Sequence, residues 1–323
     1  MQGYKGWRIA LAPLALGLAL AGPVQAQKDF PDKPVQLVIP FAPGDTDQML
    51  RPVTERMGQY LGQPIVMNYK PGAGGGIGAA YTAGAAPDGY TIVGSSPGSL
   101  VVVPLANKEI KYTTDSFAPV AGISLGGMMI IAPAKSRYRT LADVVADAKA
   151  RPDGIAYGTS GAMGISHLLG ETFAHEAKVQ LRHIPFQGST PAVTALLGGH
   201  TDIAVSAVGP AQAHIQSGAL RALAVFSDKR LAVYPEVPTL RELGYEVGSP
   251  TIYGLMAPRN TPPQVVDRLY QAARKVVAEH GDEVGKTLGG IGAEISVLGP
   301  KEYGTYLQQQ RALFSKAIGY IRE

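Results

Sequence analysis

From Gln27 onward, short β-rich runs take turns with segments of helical periodicity, and this alternation limits the fold more than any other feature. PVQLVIPF is followed by TDQMLRPVTERMGQYLG, then PIVMNY, then the entry KPGAGGGIGAAYTAGA, then YTIVGSS. Repeated strand, turn and helix predict a parallel, doubly wound α/β sheet. A second set begins near Met128 with MMIIAPA and the helical TLADVVADAKARP. It continues through IAYGTSG, ISHLLGETFAHEA, VQLRHIPF, STPAVTALLGGH, TDIAVSA and LRALAVFS. Two α/β lobes are therefore expected. The segment from about Thr251 opens with IYGLMAP, enters a helix at Thr261-Pro262-Pro263, where proline suits the first turn, and closes with KEYGTYLQQQRALFSKAIGYIRE. Too short for a third domain, it is expected to complete the first lobe. The expected division is residues 27–125 with 253–323 in one lobe and 126–252 in the other, joined by two crossings that make a hinge.

The chain has 323 residues, 46% of them hydrophobic and 17% charged, enough to bury two such cores. Its glycines and prolines fall between the runs, so they read as short connections. Ahead of the alternation stand Lys5 and Arg8, an apolar stretch from Ile9 to Ala21, and Val24-Gln25-Ala26 as a small-residue cleavage site. Residues 1–26 are thus expected to be a signal peptide. The stretch is shorter than the ~20 residues a membrane span needs, and Pro13 interrupts it. The sequence contains no cysteine, which excludes a lipoprotein anchor, disulfides and thiol chemistry. An exported protein of this kind fits a bacterial periplasm. The net charge of +4 includes Lys5 and Arg8, and no basic cluster interleaved with aromatics offers a nucleic-acid surface.

FAPGDTDQMLR, Phe41 to Arg51, places a tight glycine turn between the apolar run VQLVIP and an amphipathic segment. A helix that starts there leaves its first N–H groups unpaired, an arrangement suited to an anion. Enzyme motifs fit less well. GSSPG at Gly94 to Gly98 matches the G-x-S-x-G nucleophile elbow with Ser96 as nucleophile, but the next residue is Pro97, which has no N–H for an oxyanion hole. PGAGGGIG, Pro71 to Gly78, lacks the Lys-Ser/Thr of a phosphate loop and reads as a tightly packed helix entry. His167, His175, His183, His200, His214 and His280 show no metal-ligand spacing. His167, near a helix start, reads as a packed histidine bonded to backbone. No catalytic residue, cofactor or metal is expected.

What remains are turns rich in small polar residues: PGDTD and GSSPGS in the first lobe, GTSGAMG and VSAVGP in the second. Turns after parallel strands share one sheet edge, where ligands bind in such folds. A carboxylate accepting hydrogen bonds at a helix start gains roughly 1.5–3 kcal/mol per bond and about 0.3–2 from the helix dipole. A micromolar complex needs only about 8 kcal/mol, so no arginine clamp is required.

These turns, with FPDKPVQLVIPFAPG, NYKPGAGGGIGA, APDGYTI, FAPVAGIS, SHLLGETF, HIPFQGSTPAVTALLGGHTDI, SGALRALAVFSDKR, PEVPTLRELGY and GLMAPRNTP, resemble the Bug-type substrate-binding proteins of tripartite tricarboxylate transporters across nearly the whole mature chain. The resemblance implies a type II periplasmic-binding fold, a small carboxylate held between the lobes, and membrane transporter subunits as partners. It also implies a monomeric, non-enzymatic receptor. The family grips the ligand at turns that correspond here to Pro43 through Asp47 and Thr159 through Gly164. The candidate contacts are Phe41, Pro43, Gly44, Asp45, Thr46, Ser95, Ser96, Thr159, Ser160, Gly161, Ala162, Met163, Phe186 and Ser206. Two departures stand out. The first turn is one residue shorter than the family's Pro-x-Gly-Gly-x-x-Asp and carries Asp45 near a glycine position. A carboxylate there facing the ligand's own would cost about 1–4 kcal/mol at 4 Å, unless Asp45 turns away as a cap or the ligand presents a donor. In the second turn Gly164 and Ile165 replace the usual hydroxyl pair, so backbone N–H groups carry more of the grip, and an aromatic, longer aliphatic or amine-bearing carboxylate is as well accommodated as a small hydroxylated diacid. An extracytoplasmic sensor on the same fold and a secreted hydrolase using Ser96 are the alternatives.

Overall fold

The computed structural model describes residues 2–3, 30–44, 46–248 and 251–320. The expected signal segment, apart from Gln2 and Gly3, and Asp45 lie outside the described residues.

The first sheet holds β1 (Val35–Ile39), β2 (Ile65–Tyr69), β3 (Thr91–Ser95), β4 (Phe117–Gly126), β10 (Thr251–Pro258) and β11 (Ala293–Leu298). Their order is β11-β4-β10-β3-β1-β2. The second holds β5 (Met128–Pro133), β6 (Ala156–Thr159), β7 (Arg182–Pro185), β8 (Ile203–Ala207) and β9 (Leu220–Val225), in the order β7-β6-β8-β5-β9. Both sheets are mixed, which corrects the expectation of purely parallel sheets. β1, β2 and β3 run parallel, as do β6, β7 and β8, but β10 and β11 are antiparallel to their neighbours, and so is β5. β5 and β10 are the strands by which the chain enters one sheet from the other, β4 ending at Gly126, β5 beginning at Met128 and the return leading into β10, while β11 follows β10 through a helix within the first sheet. A chain that leaves a sheet and comes back is not bound by the right-handed crossover that keeps consecutive strands parallel.

Helices pack on both faces of each sheet, so β8, IAVSA, is buried at every position and lacks polar alternation. Around the first sheet lie α1 (Thr46–Leu61), α2 (Gly76–Ala83), α3 (Val103–Ala106), α8 (Pro263–Gly289) and α9 (Pro300–Ala317). Around the second lie α4 (Leu141–Ala150), α5 (Ile165–Ala177), α6 (Ser189–Leu197) and α7 (Val208–Gln216). The amphipathic α1 and α8 bury Leu50, Val53, Met57, Leu269, Ala273 and Val276 against one face of the first sheet. On the other face a single apolar cluster runs from Leu100 and Val101, in a π-helical turn over Gly98–Val102, to Ile165 and Leu168 of α5 and Ile130 of the second sheet. Pro263 opens α8 at its first turn as the sequence predicts.

Candidate functional site

Each parallel strand ends in a turn that starts a helix, and these turns meet across the seam between the sheets. Ala42, after β1, donates its N–H to the carbonyl of Gln187, after β7, at 2.9 Å. The backbone of Gly74, after β2, lies against that of Gly161, after β6. A Cβ on Gly161 would sit 2.7 Å from the Gly74 Cα, and one on Gly74 would sit 2.5 Å from the Ala162 carbonyl. Both glycines have positive φ, +153° and +62°, so only glycine meets the backbone and the spacing together. Beside them, the Phe41 ring covers Gly75, and Gly98 presses on Ile165.

The first turn is closed on itself. Asp47, in the first turn of α1, reaches back so that its Oδ1 accepts from Gly44 N–H at 2.7 Å, while its Oδ2 accepts from Tyr69 Oη at 3.0 Å and Arg51 Nη2 at 3.3 Å. Burial, then the Asp47 carboxylate, pushes the Tyr69 phenol above its ordinary pKa. Glu55 foremost, opposed by burial and joined by Asp47, raises the Arg51 guanidinium. The N–H of Gly44, a candidate contact, is thus bonded to Asp47, and a Cβ on Gly44 would lie 2.5 Å from Thr190 Oγ1 of the opposite half. Thr46 and Phe41 are buried at this turn, while Pro43 is exposed.

After β3, Ser95 and Ser96 are buried. Ser95 Oγ lies 2.6 Å from Ser99 Oγ, and Ser96 Oγ accepts from Gly98 N–H at 3.3 Å. Among the described residues no histidine or carboxylate hydrogen-bonds to Ser96, so the elements of a hydrolase triad do not assemble there.

The turn after β6 is held by side chains behind it. Ser160 N–H donates to Ser166 Oγ at 3.0 Å, and the two hydroxyls are 2.8 Å apart. Met163, left-handed at φ +59°, donates its N–H to His167 Nδ1 at 3.0 Å. Thr159 Oγ1 is 2.6 Å from His183 Nε2 and accepts from Gly161 N–H at 3.4 Å. Phe186 follows β7, its N–H donating to the Thr159 carbonyl. Ser206, fully buried on β8, turns its hydroxyl to the Ala207 carbonyl.

Helix starts differ sharply in how they are capped. α5, α6 and α7 begin behind Gly164, Gly188 and Ala207, and none of these supplies a side-chain cap. α4 follows the antiparallel β5 and so starts at the other edge of the sheet. It has a full capping box, with Thr140 Oγ1 accepting from Asp143 N–H and the Asp143 carboxylate accepting from Thr140 N–H. Around the second sheet, side-chain caps are absent where the turns converge and present at α4, whereas α8 and α9, which start at the far edge of the first sheet behind Pro262 and Gly299, also lack one. The seam thus offers helix N-termini, hydroxyls and two aromatic or thioether surfaces, Phe186 and Met163.

Three groups at the seam carried no distinctive mark in the sequence. The Gly72–Gly75 turn, read there as packing, forms one wall. Thr190 and Gln48 reach across from opposite halves toward Gly44 and Gly209, and Thr190 Oγ1 and Gln48 Oε1 are buried without a hydrogen-bond partner. Their position at the start of helices that follow parallel strands is the signal that could have found them. Among the described residues no group of three or more histidine, aspartate or glutamate side chains could hold a metal ion, and no helix is long and apolar enough to cross a membrane.

Residues 49–318 match the family model described as tripartite tricarboxylate transporter family receptor. A Cupriavidus necator protein, named UPF0065 protein in gbd 5'region, is 39% identical over 282 residues, covering 83% of this chain and 82% of that protein. The periplasmic binding protein BugD superposes with TM-score 0.85 at 30% identity, covering 91% of this chain and 100% of that one. MatC from Rhodopseudomonas palustris, solved with malate, gives 0.84 at 27% identity, covering 90% and 100%. A second R. palustris protein, solved with adipate, gives 0.85 at 27% identity, covering 91% and 98%.

Proposed function

This chain belongs to the family of tripartite tricarboxylate transporter receptors, and on that premise we propose that it captures a small carboxylate in the seam between its two sheets and passes it to the membrane subunits of such a transporter. The observation that carries the reading is the contrast in capping within the second half. Three helices of the second half point uncapped N-termini at the seam, while α4, pointing away, is capped. An uncapped helix start in a closed seam leaves N–H donors that an anionic ligand satisfies. Capping residues are dispensable where the ligand supplies the acceptor.

In this reading the second half does most of the gripping, through backbone N–H groups of the turns at 160–164, 186–190 and 206–209. Thr159, Ser160, Gly161, Ala162, Met163 and Phe186 form that side. Phe41, Pro43, Gly44, Thr46, Ser95 and Ser96 form the facing wall, which is shaped by Asp47 rather than left open for charge. Ser206 stands behind the β8 turn. The lobes, residues 27–125 with 253–323 and residues 126–252, rotate about the crossings near Gly127 and before β10. Three or four charge-assisted bonds at about 1.5–3 kcal/mol each are sufficient for micromolar affinity, about 8 kcal/mol. Malate and adipate, found in relatives, define the range of chain length to try first.

A thermal-shift and calorimetric panel of mono-, di- and aromatic carboxylates, with amino acids and neutral solutes as controls, tests this. A carboxylate at a hundred times its Kd adds about 2.7 kcal/mol of stability, and a Tm rise confined to carboxylates is the expected outcome. Shifts produced only by neutral or amine-bearing solutes would overturn the anion assignment.

A further inference from the structure

Two imidazoles, the buried His167 and the partly buried His183, stand behind the turn that follows β6, and the capture reading leaves them without a role. The rings of His167, from the first turn of α5, and His183, from β7, are stacked with centroids 3.6 Å apart and an interplanar angle of 8°. Each holds a different end of the same turn. His167 Nδ1 accepts the Met163 N–H at 3.0 Å, and His183 Nε2 bonds Thr159 Oγ1 at 2.6 Å, which in turn accepts from Gly161 N–H. Gly161 and Met163 bracket the backbone that lies against Gly74, and both have positive φ, so this turn does not hold its shape by local preference alone. The stack replaces that missing preference with two directed hydrogen bonds.

We propose that His167 and His183 are positioning residues for ligand capture: their stacked rings hold the turn from Thr159 to Gly164 in the one conformation that aims its N–H groups at the bound carboxylate. The proposal rests on the reading that this turn grips the ligand.

The Met163 bond requires a neutral His167 ring, and the close stack disfavours charge on both rings at once. Accepting from Met163 leaves Nδ1 of His167 unprotonated, so its proton sits on Nε2. A proton added at Nδ1 would abolish that bond, and two imidazolium charges 3.6 Å apart would repel each other. Burial pushes the His183 imidazole down to about 4, well below its ordinary value, consistent with a ring kept neutral. Tyr157 of β6 packs against both rings, 5.1 Å from His183 and 6.5 Å from His167, and donates its Oη to Glu171 Oε1 of α5 at 2.6 Å. Because the neutral form is the native one, the brace holds above the ordinary histidine range and fails as pH falls toward 4.

Asparagine places an amide oxygen where His167 has Nδ1, and glutamine places an amide where His183 has Nε2. The set of His167→Ala, His167→Asn, His183→Ala and His183→Gln therefore separates the hydrogen bond from mere filling of space. Binding of malate and of adipate is measured by calorimetry at pH 7 and pH 4, and amide hydrogen exchange of the 159–166 segment is measured in the ligand-free protein. The alanine variants are expected to bind at least about tenfold more weakly and to exchange faster in that segment, while the asparagine and glutamine variants stay within about threefold of wild type, as expected for lost and preserved hydrogen bonds respectively. The His167→Asn, His183→Gln double variant is expected to lose less affinity between pH 7 and 4 than wild type does. Alanine variants that bind and exchange like wild type, or amide variants as impaired as the alanine ones, would overturn the proposal. Should wild type bind neither acid, the choice of ligand class fails separately, and exchange in the 159–166 segment alone decides the role of the histidines.

Discussion

The two sheets present the same motif, a parallel strand running into a helix, yet finish it differently. In the first half Asp47 folds back on its own turn, takes the Gly44 N–H and ties it to Tyr69 and Arg51. In the second half the starts of α5, α6 and α7 carry no side-chain cap, and the residues behind them, Ser166, His167 and His183, hold the turn open instead of filling it. One half has a resident carboxylate at its turn; the other has three helix starts with no side-chain cap. Identical topology therefore does not mean identical electrostatic work, and what separates the halves is where a few acceptor side chains stand.

The harshest way to break this division is to keep the halves from meeting. Gly161→Val places side-chain atoms against the Gly74 backbone, whose Cα would lie 2.7 Å from the new Cβ. Calorimetry is expected to show affinity for a carboxylate ligand falling about a hundredfold or more, equivalent to roughly 2.7 kcal/mol. A wild-type Kd would mean that the halves do not close on the ligand as they meet here.

A subtler change makes the second half resemble the first. At Gly164, the uncapped start of α5, φ is negative and a Cβ meets nothing closer than 3.5 Å. Gly164→Asp supplies a resident carboxylate to α5. It is expected to leave stability unchanged or raise it by about 1 kcal/mol as a cap while lowering ligand affinity at least about tenfold, the two effects having opposite signs. Equal affinity in variant and wild type would remove α5 from the grip.

The reverse operation, on the first half, should hurt folding more than binding. Asp47→Asn keeps the shape and removes the charge from a side chain that serves three donors, so denaturant titration is expected to show a loss of about 1–3 kcal/mol, with Kd within a few-fold of wild type. A selective loss of affinity at unchanged stability would make Asp47 part of the ligand site. Smallest of all is the control at the far edge: Thr140→Ala removes the α4 cap and should cost about 1 kcal/mol with no change in Kd.

Much of this was legible beforehand. The alternation from PVQLVIPF through LRALAVFS marked every parallel strand: β1, β3, β6 and β8 are largely buried and read as apolar runs, while the partly exposed edge strands β2 and β7 were marked by the turns and helices around them. The antiparallel pairing of β4, β10, β5 and β11 was not legible, since strand direction is set by where the chain returns and not by residue type. Phe41, Gly44, Gly161 and Phe186 are brought together at the seam, whereas Ser206 keeps its hydroxyl for its own backbone. Gly44 was a candidate contact by its place in the turn, but nothing local showed that Asp47, three residues away, takes its N–H. Gln48 and Thr190 gave no local sign, because each matters only through a glycine of the opposite half.

By itself the sequence determined the architecture of two α/β units, the edge at which their turns gather and the family to which the chain belongs, since periodicity and turn chemistry act over a few residues. Only the tertiary structure decided which of those turns is already filled and which stays open. That outcome depends on distances between residues far apart in the chain, such as His183 to Thr159 and Gly161 to Gly74, and a hydrogen bond or a backbone contact exists only once folding has brought its two partners within about 3 Å.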